Sequence, residues 1–486
     1  MKQRNRTRDM TQGPIIRQVL LFALPLMIGN VFQMLYNTVD VIVVGNYVGR
    51  EALAAVGSTT MIVNVQVFFF NGFSIGAGVV VGQYFGAKEY EKLHTAVETT
   101  MTMAFVFSAA FTVIGIAGVK PMLRLMATPD DVFADAVTYL TIYFAGIAGL
   151  LIYNVASGIL RAVGNTFYPI LFLAITSVLN IILDLLFVIG LHAGIAGVAW
   201  ATIISQFVSA VMTLVLLSRT KEVFRLVWKD LHINPGMARR IMGIGLPAAA
   251  QSVVTAVSNV FVQSYINVFG SAVMAGWSCF NKLDQFIMLV LQSMSMAATA
   301  FVSQNIGAGN KKRADRGTVV NVLLTLAVSG VIAAVLFVYA DPAVGLFSGD
   351  KSVVEAGAAF LRVNVFFTLF NCVNHVLAGG IRGRGDSRGP MVIMLFSFVG
   401  VRQVYLYVMA HYISNTPVAV GFGYPVGWMT CCAIEVVYYC LRYSERFRRR
   451  HRGLPVPGKS CFLSNRHHVV TQDEETEPAA GGDRRL

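Results

Sequence analysis

The sequence predicts an all-α integral membrane protein, with twelve transmembrane helices in two six-helix lobes related by a pseudo-twofold axis along the membrane normal. Three observations carry that reading. Hydrophobic residues make up 56% of the 486 and charged residues only 13%, about half the charged share of a soluble domain. Apolar runs near or above the roughly 20 residues needed to cross a bilayer recur along the chain, without the dyad alternation of a membrane barrel. The chain also repeats itself at a constant offset of 221. Gln83-Tyr84-Phe85-Gly86-Ala87 returns as Gln304-Asn305-Ile306-Gly307-Ala308, and Arg161, Gly164 and Pro169 return as Arg382, Gly385 and Pro390. Gly49, Ser74 and Leu140 return as Gly270, Ser295 and Leu361. A constant offset over this length is duplication with almost no net insertion.

The spans follow in order. The first lobe, residues 16–218, holds apolar runs at about 17–44, 52–84, 97–119, 132–160, 168–190 and 195–218. The second, 241–442, holds runs at about 241–267, 273–305, 318–340, 354–381, 390–412 and 418–442. Several exceed a minimal span, so tilt is expected. Six helices per repeat is an even number, so both lobes enter the membrane in the same sense, the parallel-repeat arrangement of many secondary transporters. The first run follows Lys2, Arg4, Arg6 and Arg8. It is too long for a signal peptide and lacks a small-residue cleavage site, so it reads as a retained helix.

Outside the lobes lie an N-terminal segment (1–15), an interlobe linker (219–240) and a tail (443–486). In the linker Val223, Phe224, Leu226, Val227 and Trp228 are interspersed with Arg225 and Lys229, predicting a short interfacial helix on the inner leaflet. Arg446, Arg448, Arg449, Arg450 and Arg452 open the tail and suit anionic headgroups. Its polar remainder, with Asp473, Glu474, Glu475 and Glu477, predicts disorder.

A net charge of +13 first points to an acidic partner such as nucleic acid, but its distribution points elsewhere. Of 38 Lys and Arg, 31 fall in segments on one side of the predicted spans. Only Arg50, Lys120, Arg124 and Lys351 fall on the other, and Lys282, Arg362 and Arg402 lie within spans. Such a bias places both termini in the cytoplasm of a bacterial-type cytoplasmic membrane. Six cysteines form no disulfide framework or zinc spacing. No phosphate-cradling GxxxxGK[ST] is present, so neither ATP nor another cofactor is expected. The outer loops are too short to hold a folded catalytic or receptor domain.

Of the 25 acidic residues, Asp40, Asp184, Asp284 and Glu435 fall well inside predicted spans, where an ionisable group is costly and points to function by default. Asp40 and Asp184 lie about four to seven residues short of their outer ends, on the order of 6–11 Å at 1.5 Å per residue. Tyr139 and Thr202 fall at similar depth, and Asn180 shares a helix face with Asp184. Two carboxylates with amide and hydroxyl oxygens suit a hard cation such as Na⁺, or shared protons. The same residues would also serve as a polar network joining spans 1, 4, 5 and 6; convergence of their side chains decides between the two. Their second-repeat counterparts are not acids: Asp40 corresponds to Phe261 or Val262 and Asp184 to Tyr405.

In the second lobe Arg402 is expected to pair structurally with Asp284 or Glu435, or Asp284 to face the cavity and attract cationic compounds. His375 reads as a packing residue. Phe68, Phe286, Met288 and Met294 would line an adaptable apolar surface, or else sit in the core or against lipid. Pro25 in span 1, matched by Pro247 in span 7, predicts a kink, either static or able to change how Asp40 is presented.

Gly82-Gln83-x-x-Gly86-Ala87 with its repeat Ser303-Gln304-x-x-Gly307-Ala308, and Leu160-Arg161-Ala162-x-Gly164 with its repeat Ile381-Arg382-Gly383-x-Gly385, resemble motifs of the multidrug and toxic compound extrusion (MATE) family. Gly194-x-x-Gly197-x-Ala199-x-Ala201-Thr202 with Ser205-Gln206 is similar to that family's sixth-helix pattern. The resemblance covers roughly residues 12–442 and is closest to the DinF-like branch, whose first-helix aspartate matches Asp40 and whose Asn-x-x-x-Asp matches Asn180 and Asp184. It implies a cation site in the first lobe that adds Thr202, with Tyr139 in its hydrogen-bond network and bending of the first helix near Pro25. The other main branch carries acids on helices 7 and 10 as well; here those interiors have none, and Glu355 lies at an outer end.

The function expected is secondary active efflux by alternating access. A monomeric antiporter among membrane lipids would exchange protons or sodium for amphiphilic, often cationic organic compounds. A flippase for lipid-linked precursors is the alternative, expected to show a strongly cationic central cavity. A non-transporting scaffold or an intramembrane enzyme is the alternative of another class.

Overall fold

The computed structural model describes residues 7–443; the expected basic cluster and polar tail lie outside the described residues. Among these, every regular element is helical. The first half comprises α1 (Ile15–Val43), α2 (Arg50–Ala87), α3 (Tyr90–Leu125), α4 (Asp130–Ala145), α5 (Ile147–Ala162), α6 (Phe167–Asp184) and α7 (Gly194–Arg219). The second comprises α8 (Pro235–Asn267), α9 (Ser271–Gly307), α10 (Lys311–Val338), α11 (Ala340–Gly345), α12 (Lys351–Asn364) and α13 (Thr368–Gly383). It continues with α14 (Arg388–Met394), α15 (Arg402–Val408), α16 (Pro417–Gly421) and α17 (Gly423–Tyr443).

Among the described residues, ten helices are long and apolar enough to cross a membrane. Two bent pairs, α4–α5 at 47° and α12–α13 at 54°, raise the total to twelve if each is one span. The sequence predicts these two spans as unbroken. The breaks recur at the 221 offset: Asp130 matches Lys351, Ile147 matches Thr368, and Ala162 matches Gly383. In the first half the bend falls at Gly146, where a Cβ would lie 2.1 Å from Ile203 Cγ2. The close approach of α7 requires the missing side chain.

The linker is not an interfacial helix. It holds only a three-residue 3₁₀ turn, Trp228–Asp230. Leu226 N donates to the Leu217 carbonyl (3.0 Å), Arg225 Nε to the Ser218 carbonyl (3.0 Å), and Trp228 Nε1 to Ser218 Oγ (2.8 Å). These bonds fold the segment back on the end of α7. Phe224 and Leu226 are thereby buried in the first-half core, so the apolar residues cover protein rather than lipid.

The repeated motifs join the halves to each other. Gln83 Nε2 donates to the Gly383 carbonyl (3.0 Å), and Gln304 Nε2 donates to the Ala162 carbonyl (2.7 Å). Each glutamine thus grips the end of the other half's bent span, and each acceptor is the other's counterpart at the same offset. A Cβ on Gly86 would stand 2.0 Å from the Gln304 carbonyl oxygen, and one on Gly307 would stand 1.9 Å from that of Gln83. Only glycine permits that approach. The glutamine oxygens are held differently: Arg240 Nη2 donates to Gln83 Oε1 (2.6 Å) and Met10 N to Gln304 Oε1 (2.8 Å).

Helix α1 runs through Pro25 without a break. Its buried residues are Val19, Phe22, Ala23, Leu26 and Gly29, and then none until Val43. That stripe has helical spacing and packs on α9 residues such as Met294 and Ala298. Asn30 Nδ2 adds a bond to Ser293 Oγ at 3.1 Å. Beyond it, Val31, Phe32, Leu35, Val41 and Ile42 are exposed. The first part of α1 is fastened to the second half, while the part bearing Asp40 carries little packing.

Candidate functional site

Asp40 lies in the last turn of α1, and Asp184 is the last residue of α6. Each is followed by π-helical turns, Val44–Val48 and Leu185–Gly190. Such turns widen the backbone and are frequent at functional sites. The carboxyl groups of Asp40 and Asp184 lie within hydrogen-bonding distance of each other. Two ionised carboxylates so close in a medium of low dielectric repel strongly, so the contact requires a proton on one or a cation between them. Asp184 is fully buried. Neither of its oxygens receives a protein donor, and neither does Asp40 Oδ1.

Asn180, one turn before Asp184, is buried with both its amide oxygen and nitrogen unpartnered. Ser209 Oγ donates to Thr176 Oγ1 across α6 and α7 at 2.8 Å, which sets the register of these neighbouring helices. One turn further, Asn180 is level with Ser205; another turn brings Asp184 level with Thr202. The Ser205 hydroxyl is buried without a partner. Thr202 donates back to the Val198 carbonyl at 3.0 Å and makes no hydrogen bond with either carboxylate.

Tyr139 is half-buried, with Asp40, Tyr36 and Asp184 in electrostatic range of its phenol. Tyr143 stacks on it at 6.3 Å between ring centroids, and Gln33 lies within hydrogen-bonding reach of Tyr36. The structure therefore converges Asp40, Asp184 and Tyr139, with Asn180 on the turn below. Sequence reasoning missed Tyr36, Tyr143 and Ser205. For the tyrosines the signal was available in the i, i+4 pairs Tyr36/Asp40 and Tyr139/Tyr143; for Ser205 only the interhelical register reveals it. Unpartnered oxygens from two carboxylates, an amide and a hydroxyl are a donor set that a hard monovalent cation or a proton would satisfy.

The second half is arranged otherwise. Arg402 does not pair with Asp284 or Glu435. Its Nη1 donates to Ser258 Oγ and Asn259 Oδ1, both at 3.1 Å, and its guanidinium lies over Phe398 at 4.4 Å and Tyr424 at 4.9 Å. The aromatic faces and amide oxygen take the place of a carboxylate. Asp284 is buried and within hydrogen-bonding reach of Thr368 at the start of α13. Glu435 is fully buried, with neither oxygen hydrogen-bonded.

The methionines singled out from sequence are packing residues. Met294 is buried in the contact between α1 and α9, and Met288 packs on the second-half core, its Sδ 3.8 Å from Asn371 Nδ2. Phe286 is exposed and Phe68 half-buried. The His375 carbonyl accepts from Ser295 Oγ at 2.6 Å.

The MatE family model matches residues 25–186 and 244–408, once in each half. Over 440 residues the chain is 26% identical to the probable multidrug resistance protein YoeA of Bacillus subtilis, covering 89% of this chain and 95% of that one. It is 29% identical over 436 residues to the probable multidrug resistance protein YpnP of the same organism, covering 89% and 96%. The multidrug export protein MepA of Staphylococcus haemolyticus is 24% identical over 385 residues, covering 79% and 85%. Crystal structures of a MATE protein in bent and straight conformations both superpose with a TM-score of 0.85 at 20% identity, over 91% of this chain and 98% of the other. The chain belongs to the MatE family of multidrug efflux transporters.

Proposed function

Proceeding from that membership, we propose that the protein is a cation-coupled antiporter. Inward movement of H⁺ or Na⁺ through the Asp40–Asp184 pair drives export of amphiphilic, often cationic organic compounds. The observation that carries this reading is the contact between two carboxyls whose buried oxygens have no protein donor. A purely structural polar network would satisfy its own hydrogen bonds; this one calls for an added proton or cation. Asn180 and Ser205 extend the acceptor set along the α6–α7 face, and Tyr139 supplies a phenol beside it.

Coupling follows from where the pair sits. Asp40 rides on the sparsely packed part of α1, whereas Asp184 is fixed in α6. Binding a proton or Na⁺ draws α1 toward α6, and release lets it move away. A ligand shifts such an equilibrium only by its difference in affinity between states, and the distance between the two carboxyls supplies that difference. Bending of α1 at Pro25 draws Leu26 and Asn30 off their contacts and moves Asp40 with them, while the turns before Pro25 stay held. The charge bias of the loops supports a cytoplasmic position for the joined ends of the halves, and every residue of the coupling site comes from a single chain.

The test is uptake of a fluorescent cationic drug into proteoliposomes, with proton and sodium gradients imposed separately. Asp40→Asn and Asp184→Asn should each abolish gradient-driven transport at unchanged membrane expression. Full transport by both variants would sink the coupling assignment.

A further inference from the structure

Between the halves lies a cavity of about 50 Å³ whose wall includes Arg161 and Arg382, counterparts under the 221 offset. The sequence places both in turns at the basic face of the membrane. The structure instead turns their guanidinium groups into the interface, beside Phe22, Ser74, Met296 and Thr299. Arg161 Nη2 donates to Ser74 Oγ at 3.3 Å; Arg382 donates from Nη2 to Ser295 Oγ and from Nη1 to Gln251 Oε1, each at 2.8 Å. Among the described residues neither arginine forms an ion pair, and Arg382 Nε is buried without an acceptor. Glu435 lies in electrostatic range of Arg382. Its counterpart is Leu214, and Tyr153 is the ionisable group facing Arg161. His375 also lies near Arg382.

We propose that this cavity binds an anionic group, a carboxylate or phosphate-type oxyanion carried by an amphiphilic molecule. Two guanidiniums, one of them with no carboxylate nearby, leave a positive surplus in a place where unpaired charge is costly. Planar forks of N–H donors match the oxygens of such a group. The Ser74 hydroxyl donates to the Asn154 carbonyl and that of Thr299 to the Ser295 and Gly379 carbonyls, so the donors left for the anion are guanidinium N–H groups. Phe22 and Met296 offer apolar surface to the carbon chain. The volume admits a headgroup and not a whole amphiphile, so the chain extends along the interface. This deepens the efflux reading by adding zwitterionic and anionic amphiphiles to the cargo; it rests on that reading only for transport, not for binding.

The test uses the full-length protein in phosphatidylcholine nanodiscs, titrated with a dansyl-labelled fatty acid and with a chain-matched dansyl quaternary amine. The double variant R161Q/R382Q should weaken binding of the acid by roughly tenfold or more and leave the amine unchanged. R161K/R382K, which keeps both charges but loses the planar forks, should weaken the acid by about threefold or more and also leave the amine unchanged; unchanged acid affinity in a folded lysine pair overturns the proposal. Circular dichroism melts report whether each variant is folded, and the lysine pair carries the test if the glutamine pair is not. Competition by inorganic phosphate identifies a free oxyanion as ligand; competition by added phosphatidylglycerol identifies a lipid headgroup. Undiminished acid binding by the glutamine variant, or equal loss of acid and amine, overturns the proposal. Acid binding by a protein that moves nothing under any gradient would instead overturn the efflux reading and leave this site standing.

Discussion

In the first half, Asp40 and Asp184 meet carboxyl to carboxyl with donorless oxygens. In the second, Asp284 turns to Thr368, Glu435 lies in range of Arg382, and Arg402 is spent on Ser258, Asn259 and two aromatic rings. The backbone beneath is shared down to the bend in the fourth span of each half. What the halves share is therefore what joins them, and what they do not share is their ionisable chemistry. Duplication fixes the residues that touch the partner half, because a change there must suit both sides; residues facing inward within one half are free to diverge.

That comparison can be broken. The largest effect should come from Asp184→Asn against Asp284→Asn. The first should bring gradient-driven dye transport in proteoliposomes down to the level of empty vesicles, and the second should retain most of the wild-type rate. Complete loss in Asp284→Asn would show that coupling is shared between halves. Next come Gly86→Ala and Gly307→Ala, which each press a methyl on the partner's backbone at a cost of about 1–3 kcal/mol. Both should loosen the joint and speed labelling, from the basic side, of a cysteine placed at Thr299. Equal effects sharpen the symmetry of the joint; a severalfold difference between the two breaks it.

Arg402→Ile copies the residue found at the matching first-half position, Ile181. It should lower the melting temperature by leaving Asn259 Oδ1 without its donor and Ser258 Oγ with that of Gln403 alone, a loss of about 1–3 kcal/mol, while leaving ion coupling intact. The smallest effect is that of Ser205→Ala. If its hydroxyl is part of the ion's surroundings, removal costs about 1 kcal/mol, read as a few-fold rightward shift in the ion concentration giving half-maximal transport.

Much of this was legible in the residues. Apolar runs located the ten long helices and the two bent pairs of the described residues, because a bilayer tolerates few alternatives to the helix. Helix arithmetic placed Asp40, Asp184, Asn180, Tyr139 and Thr202 near one depth, although depth says nothing of direction. The bend at Gly146 was hidden because a glycine in an apolar run looks like filler until Ile203 is seen against it. The π-helical turns after Asp40 and Asp184 have no one-dimensional signature. Arg402 misled because charge suggests charge; Phe398 and Tyr424 satisfy a guanidinium equally well. Arg161 and Arg382 misled in a different way. Their backbone is at a helix end, but a long side chain places its charge well away from its Cα.

The crossed bonds of Gln83 and Gln304 have the form of an isologous contact, in which residue i of one subunit meets j of the other and j meets i in return. Two subunits of a homodimer meet in this way; here both belong to one chain. The crossed glutamine bonds themselves carry no record of which half comes first; only the donors to the glutamine oxygens, Arg240 and Met10 N, differ. A chain built with its halves in the opposite order would close it with the same two glutamines and the same two glycines. The order of the halves, and the single acid pair that tells them apart, are therefore matters the joint leaves open, and a transporter can change its chemistry without relearning how to hold itself together.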